Sequence, residues 1–256
     1  MIHEDLFNDL YIKGVARTLA AINCLEVPIN RKSNWLIGKL SYFNNKLKKE
    51  LDIEKVDQNH KEIAQEFLAA DFSSEIEWIK KHVINKVKSP IVFCNNDVFP
   101  PNVLIRNEVL GQIKRLNQIE DCQLIEKLID QLIVIIDFEF CSYNFRGSEI
   151  GNYFNEHLYE YNTPEAPHFI ADENKYPDEN HKRSFIEEYL LKLKQIKGES
   201  SEIDTIDHIL KEVEAYQIGH NLFWVLSGIC YSKYVTDYHK FDFWVMKYII
   251  IITIKV

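Results

Sequence analysis

Two short stretches decide how this chain folds: Ser89-Pro90-Ile91-Val92-Phe93-Cys94-Asn95-Asn96-Asp97 and Leu132-Ile133-Val134-Ile135-Ile136-Asp137-Phe138-Glu139. In the first, Ser89 and Pro90 break a helix, and the short apolar run Ile91 to Phe93 predicts a strand. Asn95 to Asn102, which contains Pro100 and Pro101, reads as a loop, and Val103 to Ile105 as a second short strand. In the other stretch, Leu132 to Ile136 predicts a buried strand with Asp137 at its carboxyl end. A charged helical excursion, Asn107 to Asp130, separates the two.

Working outward, the period is helical almost everywhere else. From Leu10 to Cys24 the apolar residues Tyr11, Val15, Leu19 and Ile22 recur at helical spacing, and the helix ends near Pro28. Trp35 to Leu51 reads as a second helix, with Lys46, Lys48 and Lys49 near its end, where cations suit the helix dipole. Asn59 to Ala70 and Glu75 to Val87 follow. After the second strand stretch, Cys141 to Gly147 reads as turns, Ile150 to Tyr161 as a helix and Asn162 to Asp178 as a loop. His181 to Lys197 and Ile203 to Cys230 read as helices, and Phe241 to Val256 as a buried helix or strand. The expected fold class is α+β, predominantly α-helical, with a few short strands around the loop at Asp97.

The 256 residues, 46% apolar and 27% charged, have the composition of a soluble globular protein. One domain over residues 1–256 is expected, with 107–130 as an insertion. A formal charge of −9 disfavours nucleic acid as the main partner. The five cysteines are scattered and form no C-x-x-C pair, so neither a disulfide framework nor a zinc site is implied. Asp242, Lys247 and Lys255 interrupt the terminal apolar stretch, which is too short to span a bilayer. His3, Glu4, Asp5 and Asp9 stand where a signal peptide would be basic and then apolar, so a cytoplasmic location is expected.

The chemistry sits at the two opening stretches. Asp97 and Asn102 form D-x-x-x-x-N in one loop. Phosphoryl transfer needs a carboxylate to orient and deprotonate the attacking hydroxyl, and an amide oxygen to hold magnesium, a hard cation. An Asn/Asp/Pro-rich turn explains the same residues. Asp137 ends an apolar strand, where a carboxylate can bind a phosphate-bridging metal or simply cap the following turn. Glu139 adds a further acid. The order of the pieces, namely strand, loop with Asp and Asn, strand pair, Asp, matches the catalytic core of kinase-like phosphotransferases.

On these residues the chain resembles the choline/ethanolamine kinase family. Pro90 to Asp97 with Asn102 to Ile105 is similar to that family's catalytic loop. Ile136-Asp-Phe-Glu-Phe-Cys-Ser-Tyr-Asn-Phe-Arg-Gly147, followed by Glu149 to Glu156, is similar to its second signature. Weaker similarity runs from the helix near Leu10 through Pro28 and Asn34 to Gly38, and on to Lys175-Tyr-Pro177 and His220 to Trp224. The resemblance implies the large C-terminal lobe of a protein-kinase-like fold. It also implies ATP-dependent phosphorylation of the hydroxyl of choline or ethanolamine, for phosphatidylcholine or phosphatidylethanolamine synthesis, with Mg2+ as cofactor and a homodimer as the assembly. By the same resemblance Asp97 is the catalytic base, Asn102 and Asp137 are magnesium ligands, and Glu139 is an acid beside the metal. Phe140, Glu156, Tyr161 and Trp224 would line the pocket of the cationic headgroup, where aromatic faces and an acid suit an ammonium. Asn95 and Arg146 would brace the loops; Arg146 also reads as a surface cation, Glu156 as a solvated charge, and Tyr161 and Trp224 as core aromatics.

Several positions depart from the family pattern. Asn95 stands where the family has His, Pro101 stiffens the loop before Asn102, Ser227 replaces a second tryptophan, and Phe243 and Met246 stand where tyrosines are usual. Before Asp97 the only glycines are Gly14 and Gly38, both in helical contexts. The small ATP-clamping lobe is therefore expected to be absent from this chain, with little turnover from these residues alone. Two other readings stand beside this one: a non-catalytic or fragmentary family member that binds a headgroup or pairs with a full-length kinase, and a relative of the aminoglycoside phosphotransferases.

Overall fold

The computed structural model describes residues 1–31, 35–56, 58–116, 122–161, 163–165 and 168–232. The expectation for Phe241 to Val256, and the positions Phe243 and Met246, lie outside the described residues.

Helix α1 (Asp9–Asn23) starts where the Asn8 side chain accepts the Leu10 and Tyr11 amides, which satisfies donors the first turn leaves open. Its apolar stripe, including Val15, Ala16, Leu19 and Ala20, is fully buried. Helix α2 (Trp35–Glu50) is followed by α3 (Lys61–Ala69) and α4 (Phe72–Ile79), and α4 runs on through a π-helical turn, Lys80–Ile84. Helices α5 (Asn107–Leu116) and α6 (Cys122–Leu132) occupy the excursion between the strands. Later come α7 (Arg146–Asn155), α8 (Glu179–Lys197) and α9 (Ile206–Ser232). Asp178 caps α8 by accepting the His181 amide at 2.8 Å, and Gly198, at φ 78°, ends it in the left-handed conformation that glycine adopts freely.

Among the described residues the strands form three antiparallel pairs: β1 (Ile91–Cys94) with β4 (Ser142–Phe145), β2 (Val103–Ile105) with β3 (Ile133–Ile135), and β5 (Tyr159–Tyr161) with β6 (Phe169–Ala171). Val103 opposes Ile135, so Asn102 and Ile136 lie side by side, and the Ile136 amide donates to the Asn102 carbonyl at 2.9 Å. The loop at Asp97 and the end of β3 are thereby brought together by backbone pairing.

Two apolar clusters hold the helices. One joins α1, α6 and α8 beneath the strands, with Leu19, Val98, Ile133, Phe154 and Phe185 among its buried members; the other joins α2, α4 and α9 through Leu36, Phe43, Ile79 and Phe223. Between them α7 lies tightly on α9. A Cβ on Gly147 would sit 2.7 Å from the Glu212 Cβ and 2.8 Å from its backbone, and one on Gly151 would sit 3.0 Å from the Gln217 Cβ. Glycine one turn apart is what lets the two backbones approach this closely.

Three boundaries differ from the sequence expectation. Ser142 to Phe145 form β4, not a turn, and α7 starts at Arg146; the polar Asn144 looks like a turn residue but is fully buried against the loop at Asn96. The helix expected over Ile150 to Tyr161 ends at Asn155. Beyond a 3-10 turn, Glu156–Leu158, the alternating Tyr159 and Tyr161 enter β5, as suits aromatic residues on a half-buried pleat. The segment 162–178, read as a loop, supplies the partner strand β6.

Candidate active site

The loop between β1 and β2 carries Asp97. Asn102 Nδ2 donates to the Asp97 backbone carbonyl at 3.0 Å and to its Oδ2 at 3.1 Å, which fixes the carboxylate's direction. Asn95 is fully buried; its Nδ2 donates to the Asp137 carbonyl at 2.8 Å, and its Oδ1 accepts the Asp97 amide at 3.0 Å. One side chain therefore ties the loop to the end of β3. Asn96 and Asp137 adopt φ of 66° and 59°, a left-handed conformation that Asn and Asp tolerate better than other side chains and that collects at functional sites. Burial, then the neighbouring charge of Asp137, pushes the Asp97 carboxyl up to about 7, against the opposing pull of its Asn102 hydrogen bond.

Asp137, Phe138 and Glu139, just beyond β3, are exposed. The Asp137 carboxylate accepts only the Glu139 amide, at 3.3 Å, among the described residues. Asn102 spends its Nδ2 on Asp97, and none of the hydrogen bonds among the described residues engages its Oδ1. Oxygens only, with one amide and carboxylates, suit a hard divalent cation. No set of three or more His, Cys, Asp or Glu side chains among the described residues forms a closed metal site, so a metal here would share its shell with water or with the phosphates of a substrate.

Reading the sequence for chemistry missed Glu149. This residue of α7 is fully buried, and its Oε1 accepts the Asn95 amide at 2.6 Å and the Asn96 amide at 3.4 Å, while its Oε2 accepts Asn23 Nδ2 at 2.5 Å. Tyr189 from α8 completes the chain by donating to Asn23 Oδ1 at 2.7 Å. Burial raises the Glu149 pKa, and these donors pull it back. The available signal was slight: an acid between Ser148 and Ile150 in a stretch that also carries Arg146, Asn152 and Asn155.

Beyond α7, Glu156 is 6% exposed, and Tyr161 donates to its Oε2 at 2.8 Å. It is not a solvated charge. Burial pushes its carboxyl up to about 8; the Tyr161 hydrogen bond lowers it and the nearby Asp97 raises it. Tyr161 also meets Phe99 of the Asp97 loop edge-on at 5.8 Å. Phe140 and Trp224 pack edge-on at 5.8 Å, and Trp224 Nε1 donates to Asn152 Oδ1 at 3.0 Å. A cleft of about 250 Å³ lies between the N-terminal residues Met1 to Glu4, the prolines Pro100 and Pro101, and Tyr159 to Tyr161 of β5; of the residues named above it includes Tyr161 alone. None of the ion pairs among the described residues engages Asp97, Asp137, Glu139 or Glu156.

Arg146 lies apart from these groups. It is 1% exposed, not a surface cation, and binds Glu212 at 2.5 and 3.0 Å, Asp204 at 2.6 Å and the Ile203 carbonyl at 3.1 Å. Burial works against its charge, but Glu212 and Asp204 raise its pKa above the ordinary guanidinium value. Ser89 joins by donating to Glu212 Oε2 at 2.8 Å and accepting the Gly147 amide at 3.1 Å. The cluster fastens the start of α7 to α9 and to the segment before β1.

A family model described as choline/ethanolamine kinase matches residues 1–249. The chain is 30% identical to choline kinase alpha of Mus musculus over 224 residues, 86% of this chain and 45% of the relative. With the choline/ethanolamine kinase of Homo sapiens it shares 26% over 237 residues, 91% of this chain and 53% of the relative. Among solved structures it is similar to a choline kinase from Cryptosporidium parvum, with a TM-score of 0.71 at 19% identity, covering 100% of this chain and 66% of that one. An ethanolamine kinase from Plasmodium vivax gives a TM-score of 0.68 at 17% identity, covering 99% and 61%. At these identities the two structures establish the fold, which is protein-kinase-like as expected. The chain spans about half the length of the curated relatives it matches.

Proposed function

The chain belongs to the choline/ethanolamine kinase family, and we propose that it supplies the catalytic and headgroup-binding part of an ATP-dependent phosphotransferase acting on the hydroxyl of choline or ethanolamine. The observation that carries this reading is the proximity of four carboxyls: Asp137 and Glu139 bear on the charge of Asp97 and Asp97 bears on that of Glu156, with no ion-pair partner for any of them among the described residues. Such a set asks for two cations. The exposed pair at the end of β3 suits a divalent metal, and the buried Glu156 among aromatic rings suits an ammonium.

The roles are those the family resemblance implies, and the local geometry supports them. Asp97, held by Asn102 and with a pKa near 7, accepts the proton of the substrate hydroxyl as that oxygen bonds to the γ-phosphorus and the bond to ADP breaks; a base is most effective when its pKa lies near the working pH. Asn102 and Asp137, with Glu139 beside them, would hold Mg2+, which neutralises charge on the phosphates. Glu156 and Tyr161, with Phe140 and Trp224, orient the amino alcohol by its cationic end, so that its hydroxyl is presented to Asp97 and little orientational freedom remains to be lost.

The test combines calorimetry with choline and ethanolamine and transfer of label from radioactive ATP. Expected are amine binding lost in Glu156→Gln and, of the low transfer the chain sustains by itself, loss in Asp97→Asn. A protein that binds neither amine, or whose transfer survives Asp97→Asn, overturns the reading.

A further inference from the structure

Residues 78–96 carry four lysines, Lys80, Lys81, Lys86 and Lys88, and no acid, within a chain whose formal charge is −9. The structure places this segment at the surface. Helix α4 and its π-helical extension turn Ile76, Ile79 and Val83 into the core, and leave Trp78, Lys81 and His82 exposed on the outer face. Trp78 is 47% exposed, and its indole stacks on the His82 ring at 5.0 Å and 25°. Lys86 and Lys88 are exposed on the strip that follows, and Ile91, at 45% exposed, continues it. The backbone of that strip is pinned, because Tyr216 donates to the Val87 carbonyl at 2.8 Å and His208 Nε2 contacts the Lys88 carbonyl at 2.7 Å. Lys80 pairs with Glu77, whereas Lys81, Lys86 and Lys88 enter none of the ion pairs among the described residues.

We propose that the strip from Trp78 to Ile91 is a docking surface for an anionic lipid bilayer. Its chemistry fits that partner better than other polyanions. An indole has an apolar body and a polar tip and settles at the boundary between headgroups and acyl chains, and lysine can bury its stem there while its ammonium stays in water. Several lysines on one strip respond to the diffuse negative potential of a lipid surface. Nucleic acid and phosphopeptide sites favour arginine, whose planar fork binds phosphate in two places, and residues 78–96 contain no arginine. Attachment would be peripheral, since no helix among the described residues is long and apolar enough to cross a membrane. The inference does not depend on the phosphotransferase reading.

The test is co-sedimentation of the full chain with phosphatidylcholine vesicles, with and without about 30% phosphatidylserine, at about 0.1 M and about 1 M salt. Expected are retention on the acidic vesicles at least about fivefold above the neutral ones, and loss of it in high salt. Trp78→Ala and the triple variant Lys81→Gln, Lys86→Gln, Lys88→Gln should each lower retention severalfold with unchanged circular dichroism. Brominated lipid should quench tryptophan emission in the wild type and not in Trp78→Phe. Equal retention on neutral vesicles, indifference to both sets of substitutions, or binding to heparin or polyglutamate in place of acidic vesicles overturns the proposal.

Discussion

The backbone amide of Asn95 and the buried carboxylate of Glu149 meet at 2.6 Å, so the loop that carries Asp97 hangs from α7. Replacing Glu149 by Ala leaves the amides of Asn95 and Asn96 and the Asn23 side chain without their acceptor. Each buried orphan costs about 1–3 kcal/mol. Expected are a fall in unfolding free energy of at least about 2 kcal/mol, measured in urea, and a larger loss in transfer rate than in amine affinity, because the anchor lies behind Asp97 and away from Glu156.

Amine binding should depend on pH through Glu156. Burial, against the pull of the Tyr161 hydrogen bond, raises its carboxyl to about 8, and the ammonium needs it ionised. Choline carries a permanent charge, so its own titration does not interfere. Calorimetry over pH 6–9 should show choline affinity falling by up to about tenfold per pH unit below about 8. The profile of Glu156→Gln should be flat and weak.

The same residue sets a stability trend of the opposite sign. Burial raises the folded pKa of Glu156 from 4.5 to about 8, so between those values the folded state holds a proton that the unfolded state has released. Stability therefore declines as pH rises through that window. Glu156→Gln removes the decline, and at pH about 9 the variant should exceed the wild type by on the order of 2–4 kcal/mol in denaturant unfolding.

Arg146→Met leaves Glu212 and Asp204 without their cation. Breaking a buried pair in this way costs about 3–5 kcal/mol. Arg146→Lys should recover only part of it, since an ammonium cannot reproduce the two-pronged contact with Glu212. Thermal unfolding of the three proteins gives the ranking.

Gly147→Ala should destabilise by about 1–3 kcal/mol, because its Cβ would lie 2.8 Å from the Glu212 backbone. Gly151→Ala should cost less, since its nearest neighbours, the Gln217 Cβ at 3.0 Å and Cα at 3.3 Å, stand farther off. Equal losses at the two sites would show that α9 yields to either methyl.

The helices and the strands around Asp97 were legible because their periods are local: Val15 and Leu19 mark a helix face, and Ile91 to Phe93 mark a strand after a proline. Sequence reading also picked out Asp97, Asn102, Asp137 and Glu156; Asn102 bonds Asp97, and the charges of Asp137 and Glu156 are felt together with that of Asp97. What it missed depends on partners distant in sequence. Asn144 looked like a turn residue because nothing nearby shows that β4 buries it against Asn96, and Tyr159 and Tyr161 continued a helical period until β6 claimed them. Glu149 escaped because an acid on a helix is commonplace; only the approach of a loop more than 50 residues earlier makes it an anchor.

Helix α7 also works as a ruler. Glu149 fixes the loop that holds Asp97, and seven residues later the same stretch of chain delivers Glu156, while Gly147 and Gly151 lock the helix to α9. On the proposed reading, the distance between the group that takes the hydroxyl proton and the group that holds the ammonium is therefore set by the span from Glu149 to Glu156, with the Asp97 loop tied to its first end. Selectivity should fall on the number of carbons between nitrogen and oxygen: an amino alcohol one carbon longer than ethanolamine would reach one end of the gauge or the other, but not both.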